Sequence, residues 1–304
     1  MGNLNDKKIL ELQLQANAIR ITLIEALVEA GSGHTAGPLG MADIFTYLYF
    51  HELRHDPKNP AWPERDRLVL SNGHICPVLY STMAHAGYFD KDGVEQYKKG
   101  LRKFGAPFQG HPHREYFPAL ETSSGPLGSG LSQAVGMALA ERIDFNQGRA
   151  LDRGKGATFG NKFFYCLMSD GELDAGNSWE GAMLAGKERL GNLIAFIDRN
   201  NIQIDGFTED IMPLEPLSDK WQAFNWHVIE VNGHDFADIH RAVGEAKAEF
   251  DKPSVIIANT IPGKGVPEFE RKYEWHGKPP NKEEGEKALA ELRTLGGKIK
   301  SEHA

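Results

Sequence analysis

Cysteine is almost missing from this 304-residue chain, which carries only Cys76 and Cys166. Two cysteines make neither a disulfide framework nor a cysteine-ligated metal cluster. Cys166 stands inside an apolar run and reads as a small core residue, and a reducing cytosol fits such usage. Long apolar runs are missing as well. None approaches the roughly 20 residues that cross a bilayer, and no basic segment followed by an apolar one opens the chain, so neither a membrane span nor a secretory signal is expected. Positive charge is in deficit: 34 Lys and Arg against 42 Asp and Glu leave a formal charge of -8, which argues against nucleic acid or acidic membrane surfaces as partners. A Gly-x-Gly-x-x-Gly fingerprint and a Walker loop are both absent, which speaks against a dinucleotide-binding dehydrogenase and a P-loop nucleotide enzyme. No internal repeat or low-complexity tract is present. With 40% hydrophobic residues, the chain has ample material for the core of one large α/β domain or two small ones.

Apolar residues at helical spacing (Ile9, Leu12, Ala16, Ile19, Leu23, Leu27) predict a long amphipathic helix over residues 6–30. Gly31 and Gly33 end it, and Gly37-Pro38-Leu39-Gly40 is expected to prolong the break before a second helix over residues 41–49. Apolar strands are expected over residues 67–71, 162–168, 193–198, 227–231 and 254–260, and helices over 131–143, 179–190 and 235–250. The later strands follow one another with helical segments between them. Parallel strands need crossovers of that length, so the reading is an α/β fold: a doubly wound, mostly parallel sheet with helices on both faces. Residues 147–161, rich in glycine and basic side chains, read as an exposed loop. The domain expected over residues 1–280 is followed by a polar helical tail over 281–304 that breaks at Gly296-Gly297.

Two of the strands end in oxygen-bearing side chains. Asp170-Gly171 closes one apolar run, and Asn200-Asn201 follows another. Ligands of open parallel sheets bind at the carboxyl ends of strands, and an acid and an amide on neighbouring tips suit a hard divalent cation that also holds phosphate oxygens. Alternatively, Asp170 caps the next helix and the asparagines make a turn. Glu172, Asp174 and Glu180 make the segment after Asp170 acidic, part of which complements a helix dipole. Histidine recurs beside glycine at chain breaks: Gly33-His34, Gly73-His74, Gly110-His111 and His276-Gly277. Each either packs locally or joins the others in a shared cavity, where imidazoles shuttle protons near neutral pH. The turn Gly125-Pro126-Leu127-Gly128-Ser129-Gly130 opens a helix; it is a plain tight turn or one that bares amides to an anion. Lys264 follows the last strand, within reach of a phosphate or of solvent.

The segments 33–40, 59–74 and 110–112, Gly125–Gly128, Asp170–Leu173, Asp198–Ile202 and Trp275–Gly277 resemble, in order and spacing, the N-terminal part of transketolases, from about residue 10 to residue 280. That resemblance implies the thiamine diphosphate fold and this chain as its diphosphate-binding domain. It implies that Asp170, Asn200 and the main-chain carbonyl of Ile202 hold magnesium (or calcium or manganese) on the diphosphate, with Gly171 and His74 touching the diphosphate itself. Gly125, Pro126 and Leu127 would line the cofactor through their backbones. His34, His111 and His276 would face the substrate, His34 and His276 assisting proton transfer, with His276 also beside the cofactor. Lys264 matches a lysine of some members.

Two positions depart from the family pattern. Ser169 stands where glycine usually precedes the metal aspartate, and Ala175 replaces an acidic residue that links paired sites, whereas Glu180 keeps the next such position. The family's pyrimidine-binding and third domains have no counterpart after His276. The expectation is one subunit of a split transketolase, acting on sugar phosphates with a separate chain in a two-plus-two assembly. The alternatives are a subunit of a 1-deoxyxylulose-phosphate synthase-like or keto-acid dehydrogenase-like enzyme, or a non-catalytic binding homologue; the settings of His34 and His276 favour ketol transfer.

Overall fold

The structure, a computed structural model, describes residues 4–148 and 162–302. Most of the expected loop at 147–161 therefore lies outside the described residues, although the helix before it continues to Gly148. In chain order the elements are α1 (Asp6–Ala30), α2 (Ala36–Tyr47), β1 (Arg67–Leu70), α3 (Cys76–His85), α4 (Gly93–Gly100), α5 (Gly130–Gly148), β2 (Phe164–Ser169), α6 (Gly176–Glu188), β3 (Leu193–Arg199), the two-residue strands β4 (Ile202–Gln203) and β5 (Gly206–Phe207), α7 (Thr208–Ile211), α8 (Leu217–Ala223), β6 (His227–Asn232), α9 (Phe236–Ala248), β7 (Ser254–Asn259) and α10 (Lys282–Glu302).

Five strands form one parallel sheet in the order β1-β2-β3-β7-β6, and β4 and β5 make a small antiparallel hairpin. Side chains alternate across a strand, and here both faces are covered. Tyr165, Leu167, Ile194, Phe196, Ile256 and Ala258 enter one core with α1, α2, α3 and α9. Their neighbours Phe164, Cys166, Met168, Leu193, Ala195, Ile197, Val255 and Ile257 enter a second core with α5 and α6. This two-sided burial is why β2 and β3 read as unbroken apolar runs rather than alternating ones. Cys76 and Cys166 are both buried and unpaired. Among the described residues no helix is long and apolar enough to cross a membrane.

Helix α1 begins where the Asn5 side chain accepts a hydrogen bond from the Lys8 amide and ends at Gly31, whose φ of 61° is left-handed. Two expectations need correction. Gly37-Pro38-Leu39-Gly40 does not prolong the break but forms the first turns of α2. Proline is tolerated in a first turn, where its missing N–H would have no partner, and a side chain at Gly40 would stand 3.1 Å from the Ile261 carbonyl, so α2 packs closely against the chain after β7. Nor does the last helix break at Gly296-Gly297: α10 runs straight through. It lies on α1, burying Ala288 and Leu292, and Asn17 Nδ2 donates to the Leu292 carbonyl at 3.0 Å. A side chain at Gly285 would meet Val28 at 2.3 Å, and one at Gly296 would meet Asn17 at 2.9 Å, so close helix contact accounts for these glycines.

Candidate active site

The carboxyl ends of β2 and β3 are adjacent, with Ser169 paired to Asp198. Asp170, fully buried, accepts from the Gly171 amide at 2.7 Å on Oδ1, and from the Asn201 amide at 2.7 Å and Arg199 Nη1 at 3.2 Å on Oδ2. Burial pushes its carboxyl up to about 6, against the lowering pull of the Asn201 amide and of Arg199. Asn201 makes the turn with φ 63°, a left-handed angle that asparagine adopts more readily than most residues. Asn200 is fixed at both ends of its amide: Nδ2 donates to Asp198 Oδ2 at 2.7 Å, and Oδ1 accepts from the Ile202 amide at 3.0 Å. Asp198 also accepts from the Thr260 hydroxyl. Burial pushes Asp198 up to about 7; Thr260 and Asn200 oppose the rise and the neighbouring Asp170 adds to it.

Glu172, fully buried, ties three chain segments together. Its Oε1 accepts from the Ser71 hydroxyl beyond β1 and from the Gly128 amide at 2.6 Å, and its Oε2 accepts from the Ser169 amide at 3.3 Å. Ser71 Oγ in turn accepts from the Gly130 amide at 3.0 Å. Two amides of the glycine-rich turn are thus taken by protein groups, which leaves fewer of them for an anion. Gly128 has φ 83°, and a side chain there would stand 2.5 Å from Ala175 Cβ, so glycine is needed on both counts. Ser169 is not among the non-glycine residues with positive φ, which is why serine is accommodated where the family pattern has glycine.

All four histidines line one cavity of about 340 Å³. His34 precedes α2, His74 lies in the turn after β1, His111 is in the loop between α4 and α5, and His276 follows a short turn at Tyr273–Trp275. The Thr35 hydroxyl donates to the Lys278 carbonyl at 2.6 Å, which joins the His34 and His276 segments. Ring centroids are 4.8 Å apart for His34–His74, 5.5 Å for His34–His276 and 5.2 Å for His74–His276. Burial holds His34 down to about 4, helped by His276, Arg102 and His111. Burial also lowers His74, His276 and His111, so all four are neutral imidazoles near pH 7, able to accept a proton.

Gly125, Leu127, Ser169, Gly171, Glu172 and Ile202 line the same cavity, with Asp170 and Asn200 buried alongside. Pro126 sits exposed between Gly125 and Leu127. Lys264 and Glu180 are not in the lining, and Glu180 is exposed on α6. Among the described residues no group of three or more His, Cys, Asp or Glu side chains is arranged to hold a metal. Any ion at the strand tips would therefore rest on one carboxylate, one amide and a carbonyl, an all-oxygen set that suits magnesium shared with phosphate oxygens. The residues fit such a group in two ways. A cation would offset the cost that burial imposes on Asp170. The His34, His74, His111 and His276 rings line the cavity beside those tips and bring hydrogen-bonding groups to a polar ligand.

Sequence reasoning gave no role to Ser71, Thr260 or Arg102, and explained Glu172 only by a helix dipole. A buried acid in an apolar run was the available signal for Asp198, whereas Ser71 and Glu172 meet across 101 residues and leave no local trace. Residues 12–297 match the family model described as transketolase, thiamine diphosphate binding domain. The chain is 42% identical over 287 residues to the 6-deoxy-6-sulfo-D-fructose transketolase subunit of Clostridium sp. (strain MSTE9), covering 94% of this chain and 98% of that one. It is 36% identical to one of the subunits of the apulose-4-phosphate transketolase of Phocaeicola vulgatus, over 96% and 97% of the two chains. Transketolase 1 of Escherichia coli (strain K12) is 41% identical over 268 residues, which make up 87% of this chain but only 39% of that one. The crystal structure of transketolase from Campylobacter jejuni superposes with a TM-score of 0.84 at 36% identity, covering 97% of this chain and 43% of that one. The chain therefore belongs to the transketolase family and corresponds to its N-terminal, thiamine diphosphate-binding part.

Proposed function

We propose that this chain is the diphosphate-binding subunit of a two-chain transketolase. It transfers a two-carbon ketol unit from a ketose phosphate to an aldose phosphate when a separate chain supplies the pyrimidine-binding and third domains. The observation that carries this reading is the convergence of four neutral histidines on one cavity beside the Asp170 and Asn200 turns. Two relatives named as transketolase subunits match this chain nearly end to end, which supports the division into two chains. Leu127 and Ile204 line the cavity yet are 46% and 66% exposed, an apolar rim suited to a covering chain.

When bound, thiamine diphosphate supplies the carbanion that cleaves and forms the carbon–carbon bond. Asp170, Asn200 and the Ile202 carbonyl would hold magnesium, or calcium or manganese, on its diphosphate. Gly171 and His74 would touch the diphosphate, and Gly125, Pro126 and Leu127 would line the cofactor through their backbones. His34 and His276 accept the proton of a ketose hydroxyl and return it to the product, while His111 orients the sugar. Lys264, in the segment after β7 and outside the cavity lining, would reach a substrate phosphate, and exposed Glu180 would link paired sites. The proposal is completed by a two-plus-two assembly in the cytosol, the latter on the strength of two unpaired cysteines.

The test is a ketol-transfer assay with xylulose 5-phosphate as donor, using this chain alone and together with a chain bearing the pyrimidine domain. Turnover is expected only from the pair. Strong transfer by this chain alone, or preference of the pair for pyruvate, would overturn the proposal.

A further inference from the structure

Glu172 neither stands among the residues that the family resemblance assigns nor packs as an ordinary core group. It is a 1% exposed carboxylate in the cavity wall, and every partner it has is a donor: the Ser71 hydroxyl, the Gly128 amide and the Ser169 amide. The Gly130 amide completes the set by donating to Ser71. One carboxylate thereby joins the tip of β1, the tip of β2 and the turn at residues 125–130. These are the segments that would surround the diphosphate, and they are far apart in the chain.

We propose that Glu172 is a positioning residue for the cofactor: its carboxylate locks the backbone of the glycine-rich turn, and so fixes the surface that Gly125, Pro126 and Leu127 offer to thiamine diphosphate. This rests on the functional reading above. The Ser71 hydroxyl and the Gly128 amide share one acceptor, Oε1, so a side chain without oxygen leaves both without a partner, whereas an amide oxygen in that place would still accept both. Gly128 is committed to the turn by its left-handed φ and by its contact with Ala175, so it has no alternative partner to adopt without moving the loop. A buried amide left unsatisfied is costly, and the turn should open to regain water.

The experiment has two readouts on Glu172→Leu, which removes both acceptor oxygens. Hydrogen–deuterium exchange of the cofactor-free chain should show faster exchange confined to residues 125–131. Calorimetric titration of thiamine diphosphate with magnesium into the two-chain complex should show affinity reduced about tenfold to a hundredfold. Glu172→Asp, which keeps the charge, should recover part of that affinity. If Glu172→Leu fails to fold, Ser71→Ala removes one donor to Glu172 and the acceptor of the Gly130 amide, and should give the same pattern more weakly. Unchanged exchange in the turn would refute the latch, and faster exchange with unchanged affinity would refute its role toward the cofactor. Absence of binding by the wild-type complex would instead overturn the cofactor assignment, which the exchange result does not depend on.

Discussion

At the scale of single residues, the chemistry rests on His34. Its imidazole is held down to about 4, chiefly by burial, so it stays unprotonated, with a free lone pair, through the physiological range. General base help of this kind is worth about a hundred- to ten-thousand-fold. His34→Ala should lower turnover by that order while leaving cofactor affinity nearly intact, as kinetics and calorimetry on the two-chain complex would show; an equal loss of affinity would mean that His34 holds the cofactor instead. The pH dependence has a definite sign. The unfolded chain takes up this proton near 6.5 and the folded chain only near 4, so His34 withdraws stability as pH falls from about 6.5 towards 4. NMR titration of the cofactor-free chain should place the His34 midpoint well below that of an ordinary histidine. Asp170→Asn should abolish magnesium-dependent cofactor binding without unfolding the chain. The place of Asp170 and Asn200 at neighbouring strand tips was legible in the sequence because polar groups stood at the ends of apolar runs. The Asp198–Thr260 and Ser71–Glu172 pairs were not, since each joins residues 62 and 101 positions apart through the fold.

At the scale of elements, the strands were legible because two-sided burial leaves long apolar runs, and α1 because one stripe of residues faces the core. Helix boundaries at glycine were misread. Glycine usually signals a break, but Gly40, Gly285 and Gly296 lie inside helices where another chain segment comes within a side chain's reach. Neither spacing nor composition distinguishes the two uses; only the neighbour does. This gives a paired prediction for α10. A side chain at Gly297 would meet nothing within 4 Å, so Gly297→Ala should stabilise the chain by about 0.5–1 kcal/mol in urea unfolding. Gly285→Val, driven against Val28, should destabilise it by about 1–3 kcal/mol. If both substitutions stabilised the chain, α10 would not be packed on α1 as described.

At the scale of the whole molecule, a buried ionic network joins parts distant in the sequence. Asp43 on α2 accepts from both terminal nitrogens of Arg20 on α1, at 3.1 and 2.6 Å. It also pairs with His234 at 2.7 Å, and the other nitrogen of that ring accepts from the Ile261 amide beyond β7 at 2.7 Å. Burial raises the Asp43 carboxyl, but Arg20 and His234 together outweigh it and hold the group down to about 2. Its folded pKa lies below the unfolded value of 3.8, so the stability it contributes is full above that value and is lost as pH falls towards 2. Asp43→Asn should cost about 3–5 kcal/mol at pH 7, and the gap to the wild-type chain in urea unfolding should narrow near pH 3. The parallel order of the sheet brings the β2 and β3 tips side by side, and the central claim is that a divalent ion bridges them to the cofactor's diphosphate. The most direct measurement is anomalous diffraction from crystals of the two-chain complex grown with thiamine diphosphate and manganese. The account predicts one manganese peak within bonding distance of Asp170, the Asn200 side-chain oxygen and the Ile202 carbonyl. A manganese ion coordinated elsewhere, with the diphosphate away from these strand tips, would contradict it.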